Sequence, residues 1–166
     1  MTDTRPPGRL ARYVAFWNER EPATALALLR IAIGCVLAYD LIYLVCLDLE
    51  FTIFGDVAEY NLGYAESLEI QPLVRQLFGP GPLAVQVAVY GGIAAALAFA
   101  LGLLTRVSGA LVIVTQLQLA ILYSEGDRGI DELLRLVILI LIFSQSGATL
   151  SLDARIRHGA WARPNV

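Results

Sequence analysis

The chain has 166 residues, of which 57% are hydrophobic and 16% are charged, and its formal net charge at pH 7 is -3. Soluble domains are typically ~45–50% apolar and ~25% charged, so this composition excludes an ordinary soluble domain and favours a membrane protein. All twelve basic residues are arginine. The lack of lysine excludes Schiff-base chemistry, and a net acidic charge with no basic stripe argues against a nucleic-acid partner.

The first twenty residues carry arginines around an apolar stripe at helical spacing. The stripe consists of Leu10, Tyr13, Val14 and Trp17. Basic residues beside such a stripe are typical of a helix that lies in the plane of the lipid headgroups. We therefore predict a basic, amphipathic interfacial helix within residues 1–20, with a disordered basic arm as the alternative.

Four apolar segments that could cross ~30 Å of hydrocarbon follow this arm. They cover approximately residues 23–47, 82–104, 107–123 and 130–144. Because only Thr105 and Arg106 separate the second segment from the third, these two should form a tight antiparallel hairpin. The sequence predicts an all-α, polytopic membrane protein. Its four-helix transmembrane bundle occupies residues 21–147, and residues 148–166 form a cytoplasmic tail.

The connection between the first two spans is a loop of 34 residues, 48–81, which is too long for a plain connector. The loop is rich in aromatic and aliphatic side chains, and it contains a short helical turn from Leu73 to Phe78. A solvated linker would not need these side chains. We predict that the loop folds onto the membrane face or caps the bundle.

Arginine is distributed unequally between the two sides of the predicted bundle. Eight arginines precede the first span, separate the second from the third or follow the fourth, whereas Arg75 and Arg128 lie on the opposite side. By the positive-inside rule, both termini of this multi-pass protein lie in the cytoplasm, below the cell (inner) membrane. The outer side is acidic and carries Asp48, Glu50, Asp56, Glu59, Glu66, Glu69, Glu125, Asp127, Asp131 and Glu132.

The two cysteines, Cys35 and Cys46, lie eleven residues apart in the first span. In a helix this spacing separates them by ~16 Å along the axis, which is beyond the reach of a disulfide. The only histidine, His158, lies in the tail. We therefore interpret both cysteines as packing residues, and we expect no metal and no cofactor.

Charged side chains within a transmembrane span are rare and are candidate functional groups. With two glutamines of the third span they define a candidate intramembrane polar cluster, for which no catalytic role is assigned. Its members are Arg30, Asp40, Gln116, Gln118 and Arg135. Asp40 and Arg135 lie at similar depths below the outer side, so they form one hypothetical ion pair. The alternative pairs Arg135 with Asp131, one helical turn earlier.

Arg30 lies near the cytoplasmic side of the first span. One interpretation is that its long side chain snorkels to lipid phosphate. The other is that it contacts Thr115 or Gln116 of the third span, because polar side chains in membranes often bond between helices. In the second case the cluster could line a pore or a substrate site.

Several short motifs occur in an order that one membrane family shares. They are Leu28-Leu29-Arg30-Ile31-Ala32-Ile33-Gly34, Asp40-Leu41-Ile42-Tyr43, Asp48-Leu49-Glu50-Phe51, Gly55-Asp56, Leu103-Leu104-Thr105-Arg106, Glu125-Gly126-Asp127, Leu133-Leu134-Arg135 and Ser151-Leu152-Asp153-Ala154. With these motifs the chain resembles the N-terminal, four-helix part of the HTTM domain, the family of the vitamin K-dependent gamma-carboxylase. The resemblance implies a helical membrane bundle and covers nearly the whole chain.

The chain departs from that family where the carboxylase chemistry resides. The family's basic lysine lies in a membrane helix after the Ser-Leu-Asp motif, and this chain has no lysine and ends at Val166. The family's histidine precedes the fourth span, where this chain reads Ser124-Glu125-Gly126-Asp127-Arg128. His158 lies beyond the exit motif and does not match that role. We therefore do not expect carboxylation by this chain.

Three classes of function remain open. A scaffold or accessory subunit needs no catalytic residues and is the expected class. A membrane enzyme acting on a lipid or peptide at the outer face, and a small DoxX-like transporter or quinone-interacting protein, are the alternatives. Polar side chains converging on a cavity would favour the transporter, and a cavity open to the acidic face would favour the enzyme. The expected partners are membrane lipids and either a second copy or a partner membrane subunit, the latter if this chain is one half of a split HTTM protein.

Overall fold

The computed structural model of the protein describes residues 24–54, 73–79, 81–123, 127–144, 146–159 and 161. The elements within these residues are helices, which confirms the predicted all-α class. In chain order they are α1 Thr24–Cys46, α2 Glu50–Phe54, α3 Leu73–Phe78, α4 Pro82–Leu101, α5 Thr105–Leu122, α6 Gly129–Phe143 and α7 Leu152–His158. The predicted interfacial helix within residues 1–20 lies outside the described residues.

Three of these helices are long and apolar enough to cross a membrane, namely α1, α4 and α5, with 23, 20 and 18 residues. They carry apolar side chains on all sides, as a helix surrounded by lipid and protein must. Helix α6 has 15 residues and is therefore only about 22 Å long, which is less than the ~30 Å of a hydrocarbon core. The structure thus supports a membrane protein, with three spanning candidates where the sequence predicts four.

Helices α1, α4, α5 and α6 form a bundle in which each helix runs antiparallel to the next, as their closest contacts show. Gly34 in the middle of α1 packs on Ala100 near the end of α4, and Leu41 further along α1 meets Gly92 nearer the middle of α4. Gly109 at the start of α5 packs on Ile142 at the end of α6. The bundle therefore has an arginine end, where α1 and α5 begin and α4 and α6 end, and an opposite acidic end.

A three-residue turn joins α4 to α5 at the arginine end. Gly102 adopts the left-handed conformation with φ 71°, and its N–H donates to the carbonyl of Phe99. The N–H of Leu103 donates to the carbonyl of Ala98 at 2.9 Å. These two bonds form a Schellman motif, which satisfies carbonyls that the helix end would otherwise leave unpaired. The predicted tight hairpin thus has a specific helix stop.

Two apolar clusters fill the bundle. The cluster nearer the arginine end contains Ile33, Leu37, Ala38, Ala95, Ala96, Phe99, Val112, Ile138 and Leu141. The cluster nearer the acidic end contains Leu41, Phe54, Val85, Ala88, Val89, Leu119 and Leu122. Phe54 brings the short helix α2 into the second cluster, so part of the outer loop packs on the bundle.

Helix α6 lies at the edge of the bundle and is the least enclosed of the four. Only Ile138 and Leu141 of its residues are buried. One row of large apolar side chains on α6 is exposed and consists of Leu133, Leu136, Ile140 and Phe143. This row needs a lipid or protein environment.

The contact of Gly34 with Ala100 yields a test of the packing of α1 on α4. A Cβ on Gly34 would lie 2.8 Å from the Cβ of Ala100 and 2.9 Å from its backbone. Because backbone must then move, Gly34→Ala should lower the free energy of unfolding by about 1–3 kcal/mol, measured by thermal or SDS unfolding in micelles. The matched control is Gly91→Ala, where the added Cβ meets open space. Equal stability of the two variants would contradict this packing.

Candidate functional site

Arg30 is fully buried at the arginine end, six residues after α1 begins. Its Nη1 donates to the carbonyl of Ser146 at 2.5 Å, and its Nη2 donates to the carbonyl of Leu150 at 2.7 Å. A longer bond of 3.5 Å joins Nη2 to the carbonyl of Ala100 in α4. One guanidinium therefore ties α1 to α4 and to the segment that follows α6. We call these groups the Arg30 clamp.

The segment that binds Arg30 is held in shape by its own serines. Ser146 Oγ donates to the carbonyl of Leu141 at 2.8 Å, which anchors the segment to the end of α6. Ser151 Oγ donates to the carbonyl of Gly147 at 2.7 Å and accepts from the N–H of Ala154. Ser151 is thus the N-cap of α7, the position where a serine hydroxyl stabilises a helix start. The carbonyls that face Arg30 are consequently fixed in position.

Asp153 links the same segment to the α4–α5 turn. Its Oδ2 accepts from the N–H of Thr105 at 3.1 Å, so it supplies a side-chain partner to the first turn of α5. The N–H of Asp153 donates to the carbonyl of Gly102 at 3.2 Å. Its negative charge also attracts Arg30. The Ser-Leu-Asp motif therefore connects the start of α7 to the α4–α5 hairpin.

Gly102 must be a glycine for two reasons that the clamp makes clear. Its φ of 71° is unfavourable for other residues. A Cβ at this position would also lie 2.5 Å from the Cβ of Ser151 and 3.0 Å from Arg30 Cζ. The α4–α5 turn can approach the clamp this closely only without a side chain.

The acidic end contains a cavity of about 240 Å³ between α1, α2, α5 and the start of α6. Its apolar lining consists of Leu37, Leu41, Phe54, Leu119 and Ala120. Its polar lining consists of Asp40, Gln116, Tyr123, Asp127, Arg128 and Asp131. We call it the acidic-end cavity. A mixed lining with an apolar base and a few convergent polar groups is typical of small-molecule sites.

Two of the three carboxylates in this cavity have an arginine partner. Asp127 forms an ion pair with Arg135, and the two side chains are 21% and 15% exposed. Asp131 accepts from the backbone N–H of Arg128 at 2.9 Å, and its carboxylate lies 3.8 Å from that arginine's Nε. Asp131 therefore also caps the start of α6. Within the described part of the chain, Asp40 forms no ion pair and no hydrogen bond, and its side chain is exposed.

The structure divides the five residues of the predicted polar cluster between separate places. Arg30 lies in its clamp, whereas Asp40 and Gln116 line the acidic-end cavity. Gln118 accepts from the N–H of Val74 at 3.2 Å and so joins α3 to α5. Arg135 lies beside the cavity through its ion pair with Asp127.

The partners of the two arginines differ from those considered in the sequence. Arg135 binds Asp127 and not Asp40 or Asp131, although Asp131 is one turn away. Asp127 lies before α6 begins, so the i,i+3 and i,i+4 spacing of partners within a helix does not predict this ion pair. Arg30 binds main-chain carbonyls and neither Thr115 nor Gln116. Because every residue has a main-chain carbonyl, no sequence motif can indicate which carbonyls Arg30 binds.

The potential metal ligands are dispersed. Among the residues that the structure describes, no group of three or more His, Cys, Asp or Glu could hold a metal ion. Cys35 and Cys46 are free thiols with exposed side chains.

Comparison with protein-family models, with curated proteins and with solved structures finds no match to this chain.

The Arg30 clamp yields a test by substitution. Arg30→Gln removes the donors to Ser146 and Leu150 and leaves buried carbonyls unpaired, so it should lower the free energy of unfolding by about 3 kcal/mol or more. Arg30→Lys keeps the charge but lacks the planar fork, so it should recover less than half of that loss. Unfolding in micelles and protease cleavage within residues 146–151 measure the effect.

The control for this test is Arg106→Gln, because Arg106 is also at the arginine end but is exposed. It should change the stability by no more than ~0.5 kcal/mol. If Arg30→Gln were as stable as this control, the clamp would not contribute to folding.

Proposed function

We propose that this chain is a multi-pass cell-membrane protein of the HTTM-like type, with both termini in the cytoplasm, and that it serves as a scaffold or accessory subunit. The three apolar helices α1, α4 and α5 support the membrane location. The arginines before α1 and after α6 support the orientation. The relationship to HTTM domains rests on the sequence motifs.

We infer that α6 and the segment behind it form a fourth crossing. Helix α6 alone is short, but the segment continues alongside α1 to the level of Arg30, about 9 Å from the start of that helix. Irregular backbone is tolerated at membrane depth only where its polar groups have partners within the protein. The Arg30 clamp provides such partners for Ser146 and Leu150.

The observation that carries the scaffold role is the exposed apolar row of α6. Leu136 is 54% exposed and Phe143 is 79% exposed, so the described residues leave this side of α6 uncovered. A membrane helix from a partner subunit or from a second copy could pack on it. Arg30 is the one fully buried charged side chain among the described residues, and it uses its Nη donors to hold the bundle together. This role also fits a structural protein.

A second candidate function is favoured by the acidic-end cavity. Polar side chains from α1, α5 and the start of α6 line this space, and the arginine distribution supports an outer location for this end. Small-molecule binding there would suit either a membrane enzyme acting at the outer face or a DoxX-like transporter or quinone-interacting protein.

The scaffold role can be tested by photo-crosslinking in native membranes. A benzophenone amino acid at Leu136 should give a protein adduct of constant mass, because a partner helix covers that face of α6. The control position is Leu117, which is exposed on α5, and it should give lipid adducts. A mass of twice the chain would identify a second copy as the partner. Lipid adducts from both positions would contradict the scaffold role.

A further inference from the structure

The size of the acidic-end cavity limits what it can hold. Its volume is about 240 Å³. An engineered apolar cavity of ~150 Å³ holds benzene, so this space can accommodate one aromatic ring or a short aliphatic chain with a polar group attached. Larger lipids and peptides could insert only a terminal portion. The volume therefore suits a small organic molecule.

The lining of the cavity combines apolar and charged side chains. Leu37, Leu41 and Leu119 supply apolar surface against which a hydrocarbon group can pack. Asp40 lies next to this surface on α1, one residue before Leu41, and Gln116 faces the same space from α5. A ligand that fits both kinds of side chain has an apolar body and a polar head. The sign of the charge on that head follows from the carboxylates.

Asp40 is the cavity carboxylate that the described residues leave without a compensating charge. Asp127 and Asp131 are paired with Arg135 and Arg128. Within the described residues Asp40 has neither an ion pair nor a hydrogen bond. A carboxylate at the edge of an apolar space attracts a cation more strongly than one in bulk water, because the local dielectric constant is lower. Among the described residues, the cavity thus presents one carboxylate without a partner, Asp40.

The surroundings of the cavity add to this negative potential. Glu50 begins α2, one helical turn before the cavity-lining Phe54. It is 5% exposed, and its Oε2 has no hydrogen-bond partner among the described residues. Asp48 and Glu132 are exposed at the same end. The cavity lining has three carboxylates against one arginine, Arg128, so its net charge is negative, and a concave site of net negative charge raises the local concentration of cations.

From these features we propose that the acidic-end cavity binds a small organic cation, such as an arylalkyl amine, with Asp40 as its counter-ion. The ammonium group donates to the Asp40 carboxylate and to the amide oxygen of Gln116. The apolar body rests against Leu37, Leu41 and Leu119. This inference rests on the second of the two proposed functions, the binding of a small molecule, and specifies its ligand class.

The proposal can be tested with three indoles that differ in charge. The probes are tryptamine, which is a cation at pH 7, neutral 3-ethylindole, and indole-3-propionate, which is an anion. Binding is measured by equilibrium dialysis of the full chain in nanodiscs, and empty nanodiscs correct for partition into lipid. Tryptamine should bind saturably and at least about tenfold more tightly than the other two, because a charge-assisted hydrogen bond is worth about that factor.

Two variants of equal net charge assign the effect to Asp40. Asp40→Asn should weaken tryptamine binding by about tenfold. Asp48→Asn removes a carboxylate from the same end outside the cavity, and its φ of 54° suits asparagine. It should change the affinity by less than about twofold, as expected for a screened charge at a distance.

Each contrary outcome identifies what fails. Equal binding of the three indoles to the wild-type chain would overturn the cation preference but leave small-molecule binding intact. Unchanged tryptamine binding in Asp40→Asn would overturn the role of Asp40. If none of the probes bound saturably to the wild-type chain, both this proposal and the second proposed function would be overturned, while the scaffold role would stand.

Discussion

The structure depends on the burial of one guanidinium against backbone carbonyls. Helix α6 ends at Phe143, and the chain beyond it cannot satisfy its carbonyls by helical bonds. Arg30 donates to Ser146 and Leu150 and so supplies those partners from α1. A buried charge needs hydrogen-bond partners, which the Nη atoms of Arg30 have although its Nε has none among the described residues, and irregular backbone at membrane depth needs partners for its carbonyls. Each of the two features makes the other possible.

This constraint gives the two ends of the bundle different properties. At the arginine end, the clamp, the Gly102 turn and Asp153 join α1, α4, α5 and the end of α6 into one closely packed unit. At the acidic end the helices line a cavity, and among its carboxylates Asp40 has no partner within the described residues. A rigid closed end and an open polar end suit a protein that holds its helices in place at one face and binds molecules at the other.

Much of the fold is predictable from the sequence because long apolar runs have few alternatives in a membrane. The lengths of α1, α4 and α5 and the hairpin between the last two follow from such runs. The partners of Arg30 and Arg135 do not follow, because they depend on the rotation of each helix and on carbonyls that have no sequence signature. Gln118 shows the same limit, since its partner is the backbone of Val74. For the acidic-end cavity, the sequence indicates only that acidic residues gather at this end of the bundle.

The central claim is that α6 and the segment bound by Arg30 together cross the membrane. The chain after them then lies on the same side of the membrane as the start of α1. Cysteine accessibility tests it directly, once Cys35 and Cys46 have been replaced by alanine. Single cysteines at Thr24, at the exposed Ile156 of α7 and at Asp48 are labelled with a membrane-impermeant maleimide in right-side-out and inverted vesicles. The account predicts that Thr24→Cys and Ile156→Cys react from the cytoplasmic side and Asp48→Cys from the other. Labelling of Thr24→Cys and Ile156→Cys from opposite sides would mean three crossings and would contradict it.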